Sequence, residues 1–261
     1  MKRASGGPRS PPRAARSVCP GLVALSLLAA PQRVPAGPPY TTDDPEPVEY
    51  QHWEVYLASQ NFWTGGEGGD GTLPHVEVNY GAVPDLQLHA IVPVAWARPQ
   101  GAAFQYGPGD IELGAKFRFV HEGRFVPQVG TFPLLELPVG SASRGLGSGR
   151  AEALAPVWLQ KSFGPFTTYG GGGYWIGNPG PRGSWYVGWQ AQVQLGSFAL
   201  GGELYHGMAG QDGAPGDTRF NVGLVADVSE LQHVLFSAGH AFTSPSAQAY
   251  LAYQLTFGPS D

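Results

Sequence analysis

The sequence predicts an all-β protein, a transmembrane up-and-down antiparallel β-barrel of about twelve strands. Three observations predict this fold: an N-terminal segment of the kind that directs export, a repeated alternation of apolar and polar residues, and connections of alternating length. From residue 50 to residue 257 the alternation has a period of two residues, and helical spacing never takes over for long. The pattern is therefore typical of exported strands that have one apolar and one polar face.

The composition fits a chain with little water-facing surface. Only 13% of the 261 residues are charged, whereas soluble domains carry about 25%. After residue 30, no apolar run approaches the roughly 20 residues that a membrane-spanning helix needs. The net charge of −5 is the opposite of the positive charge that binding to nucleic acid requires. The single cysteine, Cys19, lies in the predicted export signal, which leaves the rest of the chain without thiol chemistry.

The N-terminal segment has the features of a secretion signal. Basic residues precede an apolar stretch at residues 18–30, and small residues suit cleavage near Ala30 or Ala36. A disordered basic tail with an incidental apolar patch is the alternative. We expect a signal peptide at residues 1–36, a periplasmic N-terminal segment at residues 37–49, and one barrel domain at residues 50–261. Asp43 and Asp44 are then interpreted as an acidic cap on a periplasmic tail, with cation binding as the alternative.

The strand at residues 110–120 shows the alternation most clearly. Leu113 and Phe117 share an uncharged face, while Glu112, Lys116 and Arg118 share the other, because strand side chains point alternately to opposite sides. We expect strands to begin near residues 52, 74, 85, 110, 125, 150, 166, 184, 198, 217, 232 and 247.

The connections between these strands alternate in length. Longer ones are expected at residues 64–72, 97–109, 138–149, 177–183, 207–216 and 243–246, and tight turns at residues 81–84, 121–124, 162–165, 196–197 and 229–231. Outer-membrane barrels have short periplasmic turns and longer external loops. Both termini are therefore expected in the periplasm of a Gram-negative-type cell. Aromatic residues near strand ends predict an external rim (Trp63, Trp96, Trp175 and Trp185) and a periplasmic rim (Trp53, Tyr80, Phe119, Phe125, Phe198 and Phe257).

The polar face of the strands is expected to line the interior. Two interpretations fit it: a structural network of mutually neutralising charges, or a pore lining that selects solutes. The candidate lumen-lining residues are Glu77, Glu112, Lys116, Arg118, Glu152, Gln190, Gln192, Glu203, Arg219, Asn221 and Gln254.

Three stretches of the sequence carry a resemblance to a known family. They are residues 39–54, which contain Thr42-Asp43-Asp44-Pro45 just ahead of the first strand, and residues 80–88 and 109–119. Through them the chain resembles the outer-membrane proteins grouped as the "MetA-pathway of phenol degradation" family. The resemblance implies a porin-like channel or transporter for small organic solutes, with aromatic compounds as candidates.

No residue pattern indicates an enzyme. The seven histidines lack the close spacing of a zinc site, Ser237 and His240 point to opposite faces of a strand, and the glycine run 170–173 is not followed by the Lys-Ser/Thr of a phosphate loop. We expect no catalytic residue, metal or cofactor.

The expected partners are the outer-membrane bilayer and small organic solutes, with no nucleic acid and no indicated oligomer. The alternatives are a structural or adhesive outer-membrane barrel, a secreted soluble β-barrel that binds a ligand inside, and an outer-membrane enzyme acting on lipid.

Overall fold

The computed structural model describes residues 38–177, 184–208 and 216–259, so the predicted signal peptide lies outside the described residues. The strands are β1 (Trp53–Thr64), β2 (Gly68–Val83), β3 (Leu86–Pro99), β4 (Gln105–Pro108), β5 (Ile111–Val120), β6 (Gln128–Thr131), β7 (Leu134–Leu137), β8 (Glu152–Phe163), β9 (Phe166–Ile176), β10 (Ser184–Leu195), β11 (Phe198–Gly207), β12 (Asp217–Ser229), β13 (Gln232–Ala241) and β14 (Ser246–Phe257). The helical content of this part of the chain is one 3-10 turn at Ala142–Arg144, and no helix in it is long and apolar enough to span a bilayer.

Antiparallel pairing closes the strands into a barrel. The first strand, β1, pairs with the last, β14, from Trp53 opposite Phe257 to Thr64 opposite Ser246. β6 and β7 together fill one position in the wall between β5 and β8, and β4 extends the sheet only beside β3. The wall therefore has twelve strand positions, and the predicted fold class is confirmed.

The interruption between β6 and β7 falls at Phe132 and Pro133. Proline has no N–H to donate to a neighbouring strand, so regular pairing stops there. The Pro133 carbonyl still accepts a hydrogen bond from the Ala115 N–H at 3.2 Å. On the next strand, the Pro156 carbonyl accepts one from the Thr131 hydroxyl at 2.7 Å. The wall stays connected across the break.

Three strand boundaries differ from those expected. β2 begins at Gly68 instead of near residue 74, and the strand expected from residue 125 begins at Gln128. Within the expected loop 97–109, β4 forms and pairs with β3. Stacking of Trp96 on Phe104, with ring centroids 6.1 Å apart, holds the β3–β4 hairpin together, a tertiary contact that strand alternation does not reveal. We call the end with the longer connections the loop end, and the opposite end, where β1 begins and β14 ends, the turn end.

The two faces of the wall differ as the alternation predicts. Leu113 and Phe117 point outward and are 41% and 44% exposed, whereas Lys116 and Gln87 point inward and are 4% and 3% exposed. At the turn end, Trp53 stacks on Tyr80 at 4.3 Å between ring centroids. An apolar exterior with aromatic residues at its ends is the surface that a bilayer requires.

One predicted rim residue was assigned to the wrong face. Trp175 turns inward and packs against a buried apolar cluster on the inner wall. Its neighbour Tyr174 lies against Trp185 instead, with centroids 5.0 Å apart. Because adjacent strand residues point to opposite sides, only one of Trp175 and Tyr174 can face lipid.

Candidate functional site

The lumen holds part of the chain's own N-terminal segment. Residues 38–49 were expected to lie in the periplasm, ahead of the barrel. Instead, they run inside the wall toward the turn end, with Thr42 and Asp44 fully buried. This location differs from the expected one because the polar groups of the segment find partners on the inner wall. We call residues 38–48 the lumen segment.

One end of the lumen segment is held by Glu203 of β11. Its two carboxylate oxygens accept hydrogen bonds from the backbone N–H groups of Thr41, at 2.9 Å, and Thr42, at 2.7 Å. The Asn221 side chain donates to the same carboxylate, and the Ser237 hydroxyl donates to the Pro39 carbonyl at 2.5 Å. Backbone N–H groups that would otherwise be buried without partners are thereby satisfied.

The middle of the lumen segment is held by charge. The Lys116 ammonium lies 2.8 Å from an Asp43 carboxylate oxygen and 3.2 Å from one of Asp44. A buried ion needs such partners, since its desolvation costs several kcal/mol. Towards the turn end, the Arg118 guanidinium lies 3.7 Å from the Glu46 carboxylate, which also accepts a hydrogen bond from Gln160 at 3.0 Å.

Glycines on the inner wall make room for the lumen segment. A Cβ atom at Gly188 would lie 2.2 Å from the Thr42 hydroxyl, and one at Gly130 would lie 2.9 Å from the Pro45 side chain. Cβ atoms at Gly201 and Gly223 would lie 2.6 and 2.7 Å from the hydroxyl of Tyr40. The wall is therefore shaped to fit this part of the chain.

In the described part of the chain, one cavity lies on each side of the lumen segment. The loop-end cavity has a volume of about 760 Å³ and includes Pro39, Tyr40 and Thr41 in its lining. The turn-end cavity has a volume of about 310 Å³ and includes Asp43, Glu46 and other residues of the same segment. The structure thus contains a chamber on the loop-end side and another on the turn-end side of the lumen segment.

The structure places all eleven candidate lumen-lining residues on the buried side of the wall, where each is buried or half-buried. They divide into three groups. Lys116, Arg118 and Glu203 bind the lumen segment directly, and Asn221 supports Glu203. Glu77, Glu112 and Glu152 line the loop-end cavity, and Gln254 lines the turn-end cavity. The others pair with a near neighbour along their own strand: Gln190 with Gln192, and Arg219 with Asp217.

Sequence reasoning missed an apolar cluster on the inner wall. Phe132, Leu154, Trp158 and Tyr186 are buried together, with Trp175 packed against them. The sequence of β8 could have revealed this cluster. Leu154 and Trp158 lie two and six residues after the inward Glu152, so they point to the same side of the strand. The interior therefore combines a charged wall and an aromatic wall.

The side chains that the sequence offered for catalysis or metal binding do not lie together in the structure. Ser237 is buried and bonded to the lumen segment, while His240 is exposed on the other face of β13. Within the described ranges, no three histidine, cysteine, aspartate or glutamate side chains are placed to hold a metal ion.

A closed antiparallel barrel with twelve strand positions, an apolar exterior and a polar interior defines the class of outer-membrane channel folds. The solved COG4313 outer membrane channel from Pseudomonas putida F1 matches it with a TM-score of 0.61 at 15% identity, over 82% of this chain and 98% of that one. The KdgM porin in complex with disordered oligogalacturonate matches with a TM-score of 0.56 at 13% identity, over 78% of this chain and 99% of that one. No protein-family model and no curated protein sequence matches the chain. At these identities, the likeness establishes the fold.

Proposed function

We propose that the protein is an outer-membrane channel for small organic solutes, and that the lumen segment limits their passage. The observation that carries the proposal is the division of the lumen into two cavities by residues 38–48. A solute that crosses the barrel must pass beside this segment or displace it. The matched channel folds and the lipid-compatible exterior support an outer-membrane location.

The resemblance to the MetA-pathway family supports organic solutes, and we propose membership of that family on the strength of residues 39–54, 80–88 and 109–119. The ring of Trp175, which lines the loop-end cavity, supports the same class of solute. The solute of the matched KdgM porin, oligogalacturonate, is a polyanion. The carboxylates that line the loop-end cavity here would repel such a solute.

The two alternative functions predict different properties of the barrel. A soluble ligand-binding barrel would carry charges outside and apolar residues inside, and the faces observed at Leu113 and Lys116 are the reverse. A structural or adhesive barrel would allow no solute flux. Flux therefore decides between that alternative and the proposed channel.

The experiment uses the buried charge that holds the lumen segment. In Lys116→Met, Asp43 and Asp44 keep their carboxylates but lose their ammonium partner. Removing one partner of a buried ion pair costs about 3–5 kcal/mol, which favours release of the segment to water. We expect higher conductance in planar bilayers and faster swelling of liposomes in small organic solutes than for the wild-type protein.

Two controls make the result specific. Lys161→Met removes the same charge from a pair with Glu122 at the turn end, away from the lumen segment, and should leave conductance unchanged. Lys116→Met combined with Asp43→Asn and Asp44→Asn removes the uncompensated charges and should return conductance towards the wild-type level. If neither the wild-type protein nor any variant passes ions or solutes, the channel proposal is wrong. If the wild type conducts and Lys116→Met equals it, the segment does not limit passage.

A further inference from the structure

The loop-end cavity carries a row of three glutamates on adjacent strands. Glu136 of β7 lies directly opposite Glu112 of β5 on one side and Glu152 of β8 on the other. Directly opposed strand residues have Cβ atoms about 4.5–5.5 Å apart, and like charges in such positions destabilise a sheet. All three glutamates line the cavity. The row therefore creates a negative potential on one side of this chamber.

Among the residues that the structure describes, the two outer glutamates have hydrogen-bond partners and the central one has none. Glu112 accepts a hydrogen bond from His89 at 2.9 Å, and Glu152 accepts one from Arg150 at 3.1 Å. Glu136 forms no hydrogen bond or ion pair with any residue in the described part of the chain. The middle of the row is thus a half-buried carboxylate without a counter-charge from the described residues.

The opposite wall of the same cavity adds a second unpaired group. Tyr250 of β14 is 9% exposed, and its hydroxyl has no hydrogen-bond partner among the described residues. Aromatic rings of Phe62 and Trp175 also line the chamber. A ring face attracts a cation within about 6 Å of its centroid, and it also packs against an apolar group. The chamber therefore offers negative charge, a hydroxyl and aromatic surface together.

A metal ion does not suit this arrangement, because no three ligating side chains in the described ranges are placed to hold one. An anionic solute is opposed by the carboxylate excess among the described lining residues, which are Asp70, Glu77, Asp110 and the three glutamates against the guanidinium of Arg150. An ammonium group on an apolar body satisfies both the carboxylate and the rings.

We propose that the loop-end cavity binds an organic cation, an aromatic or alkyl amine, with Glu136 as its counter-charge and the hydroxyl of Tyr250 and the aromatic rings holding the body. This inference rests on the proposed channel function and names the class of its solute. The ammonium would donate to Glu136 and be flanked by Glu112 and Glu152, which relieves the repulsion along the row.

The test measures binding by isothermal titration calorimetry of the full-length mature protein in detergent. Phenethylamine, which is an ammonium at neutral pH, is compared with 2-phenylethanol, which has the same body without the charge, and with the anion 3-phenylpropionate. We expect phenethylamine to bind at least about tenfold more tightly than 2-phenylethanol, a difference of about 1.4 kcal/mol. The anion should bind more weakly than either.

Substitutions of Glu136 test whether the row of glutamates causes the preference for the amine. Glu136→Gln should weaken phenethylamine binding about tenfold. It should leave 2-phenylethanol binding unchanged, which also reports that the variant is folded. Glu136→Asp should retain the preference for the amine. Glu67→Gln makes the same chemical change at an exposed loop-end position outside the cavity and should alter neither ligand.

Equal binding of the amine and the alcohol by the wild-type protein overturns the inference, as does equal weakening of both by Glu136→Gln. These outcomes are separate from those of the conductance experiment. A protein that conducts but does not prefer the amine is a channel without this specificity. A protein that prefers the amine but never conducts is a binding barrel, and then the channel proposal is the one that fails.

Discussion

At the scale of single residues, glycines on the inner wall leave the space that the lumen segment occupies. Gly188 lies on the inner face of β10, where a Cβ atom would meet the Thr42 hydroxyl at 2.2 Å. Gly207, at the end of the neighbouring β11, would place a Cβ atom with nothing within 4 Å. The two glycines lie on adjacent strands of one wall, yet only Gly188 is required by the lumen segment.

This difference predicts that Gly188→Val displaces the lumen segment and raises conductance, because the valine occupies the space of Thr42. Gly207→Val is the matched control, with the same substitution on the next strand, and should conduct like the wild type. Planar-bilayer recordings of the three proteins measure the effect. Equal conductance of Gly188→Val and the wild type would show that the segment can shift within the lumen without opening it.

At the scale of the secondary-structure element, each strand carries two environments one residue apart. In β5, Leu113 is 41% exposed on the outer face. Its neighbour Glu112 turns inward and accepts a hydrogen bond from His89. The same strand thus supplies both the contact with lipid and a side chain of the loop-end cavity.

For β5 we predict that Leu113→Arg lowers the free energy of unfolding in lipid vesicles much more than Glu112→Gln does. An arginine on the lipid face costs about 2–4 kcal/mol near the bilayer midplane and less towards the interfaces. Glutamine keeps an acceptor for His89, so its main effect should be on ion preference. Denaturant titration of both variants in the same vesicles gives the order. A tolerated Leu113→Arg with a damaging Glu112→Gln would mean that the faces are reversed.

At the scale of the whole molecule, closure of the barrel depends on β14, and filling of its lumen depends on residues 38–48. β1 and β14 pair along their full length, so the wall is complete only when the C-terminal strand is in place. The residues just before β1 then turn into the lumen and meet side chains far along the chain, such as Glu203 and Ser237. The N-terminal segment can be held only after most of the wall has formed.

Export is the prediction that belongs to this scale. The basic and apolar residues at the N-terminus indicate a cleaved signal, so the mature protein should begin between about Pro31 and Tyr40 and fractionate with outer membranes. N-terminal sequencing of the membrane-extracted protein measures both properties. Recovery of the protein wholly in the soluble fraction, or with residues 22–30 still attached, would contradict the prediction.

The sequence by itself determined the all-β alternation, most of the strand faces and a wall of about twelve positions. These features follow from a period of two residues and from turn residues, which are local properties: the apolar parity of Leu113 and Phe117 is visible without knowing any neighbour. It also placed the eleven candidate residues on the polar face, although their role in solute passage stays a prediction.

Only the tertiary structure decided what occupies the lumen. The contacts of Asp43 and Asp44 with Lys116 join residues more than seventy positions apart, and those of Thr41 and Thr42 with Glu203 span more than one hundred and sixty. The row formed by Glu112, Glu136 and Glu152 likewise depends on the register of three strands. Alternation fixes the face to which a residue belongs. Packing across the whole barrel sets the register in which the strands pair, and it also decides which part of the chain fills the lumen.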